Sequence, residues 1–503
     1  MSDMVKTKNS KTNDSAASDA VEVQDIQVQD IDTNIETGDE ASPEAPELNY
    51  NISEFMNLDE EALVIAAIKA FSDEQDIMKS MTICRLAVRK SVTNHRAWSH
   101  LGTLLFITRK LEAAIGAFKK SLRIEPEEYA NWINLGNALL RVARVEEALE
   151  AFERAAELEA GDAAIYNSIA QCYQDLGEYD KSLDALRRAE LLGSKDPNLK
   201  WNRTLTQLMQ GNYEEGLAGF EARWEMRGAQ PRYDMDKKWD GTITKGKQVL
   251  IWSDSGFNDI IMMSRFVPLA VEKGLDVIFE IPAETARMFQ ESPLFQKIKL
   301  APFTKEPSSY GGDHLPLSSL ASALGYTNSS NVPNVPYLQA PQAPRIRSDL
   351  FKVGIVWNGA SRRVPDPNRV LPLRHVARLA DSPNTEFYSL QRGGAEKELV
   401  NTGFDYLISN MGSLCRDLAD VAAFCENLDL FITVDSYQAH IAAAMGKKVW
   451  LLLGTTPDWR WQLKQATSPW YKNIKLYRRT DRLHWDDLIE KIRLDLIKEA
   501  KGS

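Results

Sequence analysis

Three short loops hold residues whose types and spacing could do chemistry. The first reads Ser253-Asp254-Ser255-Gly256-Phe257-Asn258-Asp259 and opens a helical stretch. A helix N-terminus offers free N–H groups and partial positive charge, which suits an anion or an activated carboxylate. Asp259 there could take the proton of an acceptor hydroxyl, or it could simply cap its helix. The second loop runs from Asn358-Gly359 through Arg362 and Arg363 to Asn368-Arg369. Guanidinium forks match pairs of phosphate oxygens, so a diphosphate is a natural ligand, with a solvated basic turn as the alternative. The third loop, Asp435-Ser436-Tyr437-Gln438-Ala439-His440, leads into a run of small residues ending at Gly446. Ser436 and nearby backbone N–H groups could hold phosphate, and His440 could donate to a phosphate or sugar oxygen. Equally, Asp435 could be a helix cap and His440 a buried, satisfied residue. Gly454-Thr455-Thr456 could add phosphate donors. The rings of Pro457-Asp458-Trp459-Arg460-Trp461 suit stacking on a base or sugar, or merely covering a sheet edge.

Each loop follows a short apolar run, and these runs alternate with amphipathic stretches. They are Val249–Trp252, Val277–Ile281, Val353–Trp357, Phe387–Leu390, Leu430–Val434 and Val449–Leu453, with a helix expected from Asp259 to Lys273. The alternation predicts parallel sheets built from βαβ units. A Pro- and Asn-rich passage, 326–344, separates two sets, so two Rossmann-like halves with a cleft between them are expected. Ligands of such sheets bind beyond the carboxyl ends of strands, where all three loops lie.

Ahead of these strands the period is helical. Trp98, Trp132, Tyr166 and Trp201 recur at 34, 34 and 35 residues. Each opens a pattern of apolar and small positions, such as Trp98, Leu101, Gly102, Leu105, Ala114 and Phe118, and Pro126 closes a copy. This is a tetratricopeptide signature. Gly102, Gly136 and Ala170 fall where paired helices must approach closely. Residues 55–93 read as a degenerate helical cap and 197–228 as an atypical fourth unit. Such a stack offers a groove for another polypeptide, with Trp98, Trp132, Asn134, Asn137, Tyr166 and Asn167 as candidate docking residues.

Composition narrows the field. A hydrophobic share of 44% and a charged share of 26% suit an ordinary soluble protein, and 503 residues exceed one core. Residues 1–50 hold twelve acidic and three basic side chains, and −11 minus −9 leaves only −2 for the rest. That first stretch is read as a disordered acidic tail, and the remainder carries no nucleic-acid footprint. Cys84, Cys172, Cys415 and Cys425 show no metal or redox spacing. No acidic cluster or His pair has metal-ligand spacing either, so no tightly held metal is expected. With no apolar leader and no run approaching eighteen apolar residues, a cytoplasmic protein without a transmembrane segment is expected.

Residues 248–461 resemble the glycosyltransferase part of bacterial proteins that join tetratricopeptide repeats to a GT-B domain, related to the ADP-heptose:lipopolysaccharide heptosyltransferases. The resemblance rests on Gly256–Ile260, Val353–Trp357 with Asn368-Arg369, Ser389-Leu390-Gln391, and Asp435-Ser436 through His440 to Trp461. It implies a fold of α plus α/β class, an N-terminal repeat solenoid followed by two Rossmann-like domains. The corresponding divisions are an acidic tail (1–50), repeats (51–230), and nucleotide-sugar transferase halves at 245–345 and 350–503. It further implies Asp259 as the base, Asp435 and His440 as residues that hold the donor, and Arg369 as facing its diphosphate. With the loop readings above, the candidate donor site comprises Gly256, Asn258, Asn358, Arg362, Arg369, Gln391, Asp435, Ser436, His440 and Gly454. Transfer would be metal-independent, with a nucleotide-sugar as co-substrate and no cofactor. By analogy with flagellin glycosyltransferases, the acceptor would be a Ser or Thr hydroxyl of a docked protein. Two departures stand out: Asn258 replaces the second Gly of the usual Gly-Leu-Gly-Asp, and Ser253-Asp254-Ser255 replaces Gly-Glu-Gln. Asn tolerates positive φ better than most residues, so the turn is expected to survive. Two rivals follow from the same residues: a non-catalytic adaptor with a degenerate transferase half, and an enzyme acting on a glycan.

Overall fold

The computed structural model describes residues 52–226, 228–304, 310–326, 328, 332–342, 345–359, 369–480 and 484–502. The expected tail, Arg362 and Arg363 lie outside the described residues. The chain divides into two compact units, Met1–Val142 and Ala143–Ser503.

The first unit is helical: α1 (Glu60–Ser72), α2 (Ile77–Lys90), α3 (His95–Ile107), α4 (Leu111–Ile124) and α5 (Tyr129–Arg141). Asp59, Asp76 and Asn94 cap α1, α2 and α3 by accepting from the N–H three residues on, which satisfies donors the helix itself cannot. Leu63, Met81, Cys84, Leu104 and Phe118 are buried. A Cβ added at Gly102 would stand 2.6 Å from the Phe118 ring, so the small residue expected there is required by the close approach of α3 and α4.

The second unit continues with α6 (Val145–Leu158), α7 (Ala163–Asp175), α8 (Tyr179–Leu191), α9 (Pro197–Gln210) and α10 (Tyr213–Gly219), closed by a 3-10 turn at Phe220–Glu225. One backbone feature outlasts the repeat's side-chain pattern. Gln75, Arg109, Ala143, Gly177 and Gly211 all have positive φ, at successive intervals of 34. Residues 55–93 therefore carry a hairpin turn of the same kind as the clear repeats, although their side chains no longer show the period. The last two of these turns are glycines for a reason. A Cβ at Gly177 would lie 2.5 Å from Leu463 Cδ2, and one at Gly211 would lie 3.2 Å from Gln462 Nε2.

The residues between Gly228 and Lys247, which read as a linker, are packed. Trp239 is 2% exposed and its backbone N–H donates to His314 O at 2.8 Å. Arg232 reaches the buried Glu280 carboxylate with Nε at 3.0 Å and Nη2 at 3.2 Å.

Two parallel sheets follow. The first is ordered β3-β2-β1-β4, from β1 (Gln248–Trp252), β2 (Asp276–Ile281), β3 (Lys299–Pro302) and β4 (His314–Pro316). Its helices are α11 (Phe257–Met263), α12 (Phe266–Glu272), α13 (Ala283–Glu291) and α14 (Leu320–Ala323). The single helix expected from 259 to 273 is two helices. Pro268 has no N–H for the carbonyl of Ser264, and Val267 N bonds Ser264 O instead at 2.9 Å.

The second sheet is ordered β10-β9-β8-β5-β6-β7. Its strands are β5 (Phe351–Val356), β6 (Thr385–Ser389), β7 (Ile408–Asn410), β8 (Leu430–Val434), β9 (Val449–Leu453) and β10 (Ile474–Arg478). The helices α15 (Leu373–Ala380), α16 (Lys397–Thr402), α17 (Leu418–Glu426), α18 (Tyr437–Ala444) and α19 (Asp486–Lys501) cover it. Every residue of β8 and β9 is buried, as central strands covered on both faces must be.

Candidate active site

The second sheet is built outward from β5 through β6 to β7, then crosses back to β8 and runs the other way. Strands β5 and β8 are therefore neighbours whose connections diverge, and this is where a parallel sheet opens a crevice. The loops after them touch. A Cβ on Gly359 would stand 1.9 Å from Asp435 O, so only glycine lets the two backbones approach. Arg369 Nε donates to the same Asp435 carbonyl at 3.1 Å and lies 3.5 Å from its carboxylate. Asn358 is held by Gln391, whose amide oxygen accepts from Trp357 N at 3.2 Å and Asn358 N at 3.0 Å, while Nε2 donates to Asn358 O at 3.0 Å. Gln391 is 3% exposed, so its side chain fixes the second loop's backbone from behind.

Ser436, not Asp435, caps α18. Its hydroxyl accepts from Ala439 N at 3.3 Å, sits 2.9 Å from Thr433 Oγ1, and is almost fully buried. Asp435 is thereby left to face the crevice. Arg369, Asp435, Leu453, Gly454, Thr456, Pro457 and Asp458 surround a cavity of about 180 Å³, the liquid volume of about six waters.

His440 lies behind this wall, with no exposed surface, its Nε2 4.0 Å from Asp435 Oδ1 and its Nδ1 2.9 Å from the Tyr471 hydroxyl. Burial, followed by the charges of Arg265 and Arg369, pushes its pKa down to about 3, so the ring is neutral at physiological pH. Burial raises the Tyr471 hydroxyl well above its ordinary value and keeps it protonated. Arg265, also fully buried, donates to Met262 O at 2.9 Å, Trp470 O at 2.7 Å and Tyr337 OH at 3.2 Å. Its Nη1 and Nη2 contacts thus tie the first sheet's helices to the segment between the sheets and to the segment after β9. Sequence reasoning missed Arg265. The available signal was a lone cation in an otherwise apolar helical run.

The rings near Trp459 are interior. Trp461 packs against His440 at 5.1 Å, Trp459 against Phe220 at 5.8 Å, and Trp470 against Tyr213 at 5.3 Å. They cover the sheet and join it to the last repeat, and so are not placed to stack on a base.

The first loop, on the other sheet, reaches the cavity wall through Arg460. Gly256 is the N-cap of α11 with φ −72°. Asn258 lies inside that right-handed helix and is absent from the positive-φ positions. The tolerance for positive φ invoked for Asn258 is thus not needed, because the turn closes before it. Asp259 occupies the first turn but does not cap; its carboxylate pairs with Arg460. Arg460 also holds Asp458 on the cavity wall, Nη1 to Oδ1 at 2.5 Å, and is 10% exposed. In the sequence Arg460 stands only as one residue of an aromatic run, because no interval there places it opposite Asp259. Among the described residues no group of three or more His, Cys, Asp or Glu is arranged as metal ligands.

The candidate docking residues of the repeats divide. The Trp98 indole donates to Val92 O at 3.0 Å under the Lys120 ammonium, and the Trp132 indole donates to Pro126 O at 2.8 Å. Tyr166 is covered by Arg188 at 4.5 Å, and Asn167 accepts from Asn202 at 2.8 Å. Asn134 is buried, whereas the half-buried Asn137 keeps an Nδ2 without a partner. In the second unit, Tyr166, Tyr173, Glu153, Lys181 and Arg188 help line an open groove of about 600 Å³ between α6, α7 and α8.

Known families match parts of both the repeats and the second sheet's region. Residues 95–128 and 133–200 match tetratricopeptide repeat models, and residues 410–489 match the glycosyltransferase family 9 (heptosyltransferase) model. Protein FlbA of Caulobacter vibrioides is 23% identical over 316 residues, covering 56% of this chain and 51% of that protein. The chain thus spans about half the length of this curated relative. Among solved structures, MamA is similar at 18% identity, covering 33% of this chain and 90% of its own, with a TM-score of 0.31. YrrB, described as a tetratricopeptide protein with an unusual peptide-binding site, is 19% identical over 35% of this chain and 90% of its own, also at 0.31. The chain joins tetratricopeptide repeats to a region of the glycosyltransferase family 9 (heptosyltransferase) type.

Proposed function

We propose that this chain is a protein O-glycosyltransferase of GT-B architecture that moves a sugar from a nucleotide-sugar to a Ser or Thr hydroxyl of a protein docked on its repeats. One observation carries the reading. The Asp259 carboxylate, on the first sheet's loop, pairs with Arg460, which in turn holds Asp458 on the wall of the cavity at the carboxyl ends of the second sheet. In the reaction, Asp259 takes the hydroxyl proton as the acceptor oxygen bonds to the anomeric carbon. The bond from that carbon to the diphosphate breaks, and the nucleoside diphosphate leaves with the electron pair. Arg369 and the donors around Gly454 stabilise its growing charge without a metal. Asp435 faces the donor, while Ser436, Gln391 and neutral His440 hold the loops that line its site.

Flagellin is the first acceptor to test, and the groove between α6 and α8 supports docking of a polypeptide over a free glycan. Four unpaired, buried cysteines support a reducing, cytoplasmic setting, and among the described residues no helix is long and apolar enough to cross a membrane.

The test is intact-mass spectrometry of flagellin incubated with the full chain and a panel of nucleotide-sugars. A sugar-sized mass gain that Asp259→Asn abolishes, with the donor bound at least as tightly as by the wild type, is expected. Transfer unchanged in that variant removes Asp259 as base. Donor binding without transfer to any protein moves the assignment to a glycan acceptor or an adaptor.

A further inference from the structure

We infer that Arg460 is shared between the Asp259 carboxylate and the diphosphate of the donor, so that a seated donor releases the base. The inference rests on the glycosyltransferase reading and adds an order of events to it.

The guanidinium spans the cleft. One end holds Asp458 at 2.5 Å on the cavity wall, and the other pairs with Asp259 on the opposite sheet's first loop. The cavity wall contributes two carboxylates, Asp435 and Asp458, and one guanidinium, Arg369, already engaged with Asp435. A diphosphate entering that space adds negative charge beside two acids, and a second cation is needed there. Arg460 is the described side chain already in contact with both the wall and the base. Although burial lowers it to about 10, it stays charged at neutral pH.

Competition decides where that charge goes. A multiply charged diphosphate attracts a nearby guanidinium more strongly than a single carboxylate at the same distance, and it accepts two parallel hydrogen bonds. As Arg460 turns toward phosphate, Asp259 loses the neighbour that stabilised its charged form and binds a proton more readily. A carboxylate locked to an arginine is a poor base; freed, it suits the acceptor hydroxyl. The same displaced cation then meets the charge that grows on the leaving group.

Calorimetry on the full chain tests this, using UDP, GDP and ADP as probes together with the matching nucleosides. For the diphosphate that the wild type binds, Arg460→Ala should weaken binding at least tenfold, and Arg460→Lys less, with nucleoside affinity unchanged. Asp259→Asn should tighten diphosphate binding severalfold, because Arg460 no longer has to leave a charged partner. In the Arg460→Ala background, Asp259→Asn should change nothing. Full affinity in Arg460→Ala overturns the inference, as does an Asp259→Asn variant that binds no tighter than wild type. A wild type that binds none of the three diphosphates instead defeats the glycosyltransferase reading itself.

Discussion

Arg223, in the 3-10 turn that closes the last helical repeat, clasps Asp254 in the loop just ahead of Asp259. Its Nη2 and Nε donate to one carboxylate oxygen at 2.7 Å and 3.1 Å. The other oxygen accepts from Ser318 N at 3.1 Å and Ser318 Oγ at 3.0 Å, and the Asp254 side chain has no exposed surface. The pair gives a physical reason for Asp at this departure from the Gly-Glu-Gln pattern: a short carboxylate buried beneath the loop receives an arginine from the turn that closes the repeats. Removing one partner of such a buried pair strands the other's charge and costs about 3–5 kcal/mol. Arg223→Ala should therefore lower the denaturant midpoint by that order. Asp254→Ala should do the same, and the double variant should lose less than the sum of the two.

The repeat turns give a prediction of opposite signs. Ala143 has φ 58°, a conformation that costs a side-chain-bearing residue more than glycine. Ala143→Gly should cost nothing there or stabilise, by up to about 1 kcal/mol. Gly177→Ala should destabilise by about 1–3 kcal/mol, since it combines the same conformation with overpacking against Leu463. Thermal melts of the two variants, which should move apart, check both.

Acid should destabilise the second unit through His440. Its folded pKa of about 3 lies below the ordinary value of 6.5, so the folded state binds fewer protons between those limits. The stabilisation is present above pH about 6.5 and is lost as pH falls through 3. Asp417 works in the same direction. Its hydrogen bond from Arg287 holds it below the usual carboxylate range, so its contribution is present above that range and fades below it. Urea midpoints measured from pH 7 down to 4 should fall for the wild type, and His440→Gln should show a shallower fall.

Gln391→Ala should harm the donor site without touching the cavity. It leaves the Trp357 and Asn358 N–H groups without their acceptor, at a cost of about 1–3 kcal/mol for each buried group. The second loop would loosen, so KM for the donor should rise more than kcat falls. Steady-state kinetics on the folded variant separate these outcomes.

The parallel strands were legible because a strand covered on both faces must be an unbroken apolar run, as in Leu430–Val434 and Val449–Leu453. The helical repeats were legible because paired helices need large and small residues at fixed intervals, as at Phe118 and Gly102. Strands β3, β4, β7 and β10 escaped notice: the first three are only three or four residues long, too short for a period to register, and β10 interrupts its apolar residues with Lys475 and Arg478. For the same reason, the sequence alone could list Asp259, Arg369, Asp435 and His440 as groups able to handle protons and phosphate. Their roles depended on neighbours distant in the chain. Only tertiary structure buried His440 behind Asp435, set Gln391 beneath a loop, and brought Arg460 across to Asp259. Local periodicity is written into the chain because helices and strands repeat along it. Charge pairing across a cleft follows from where two sheets come to rest, and no interval in the sequence encodes that.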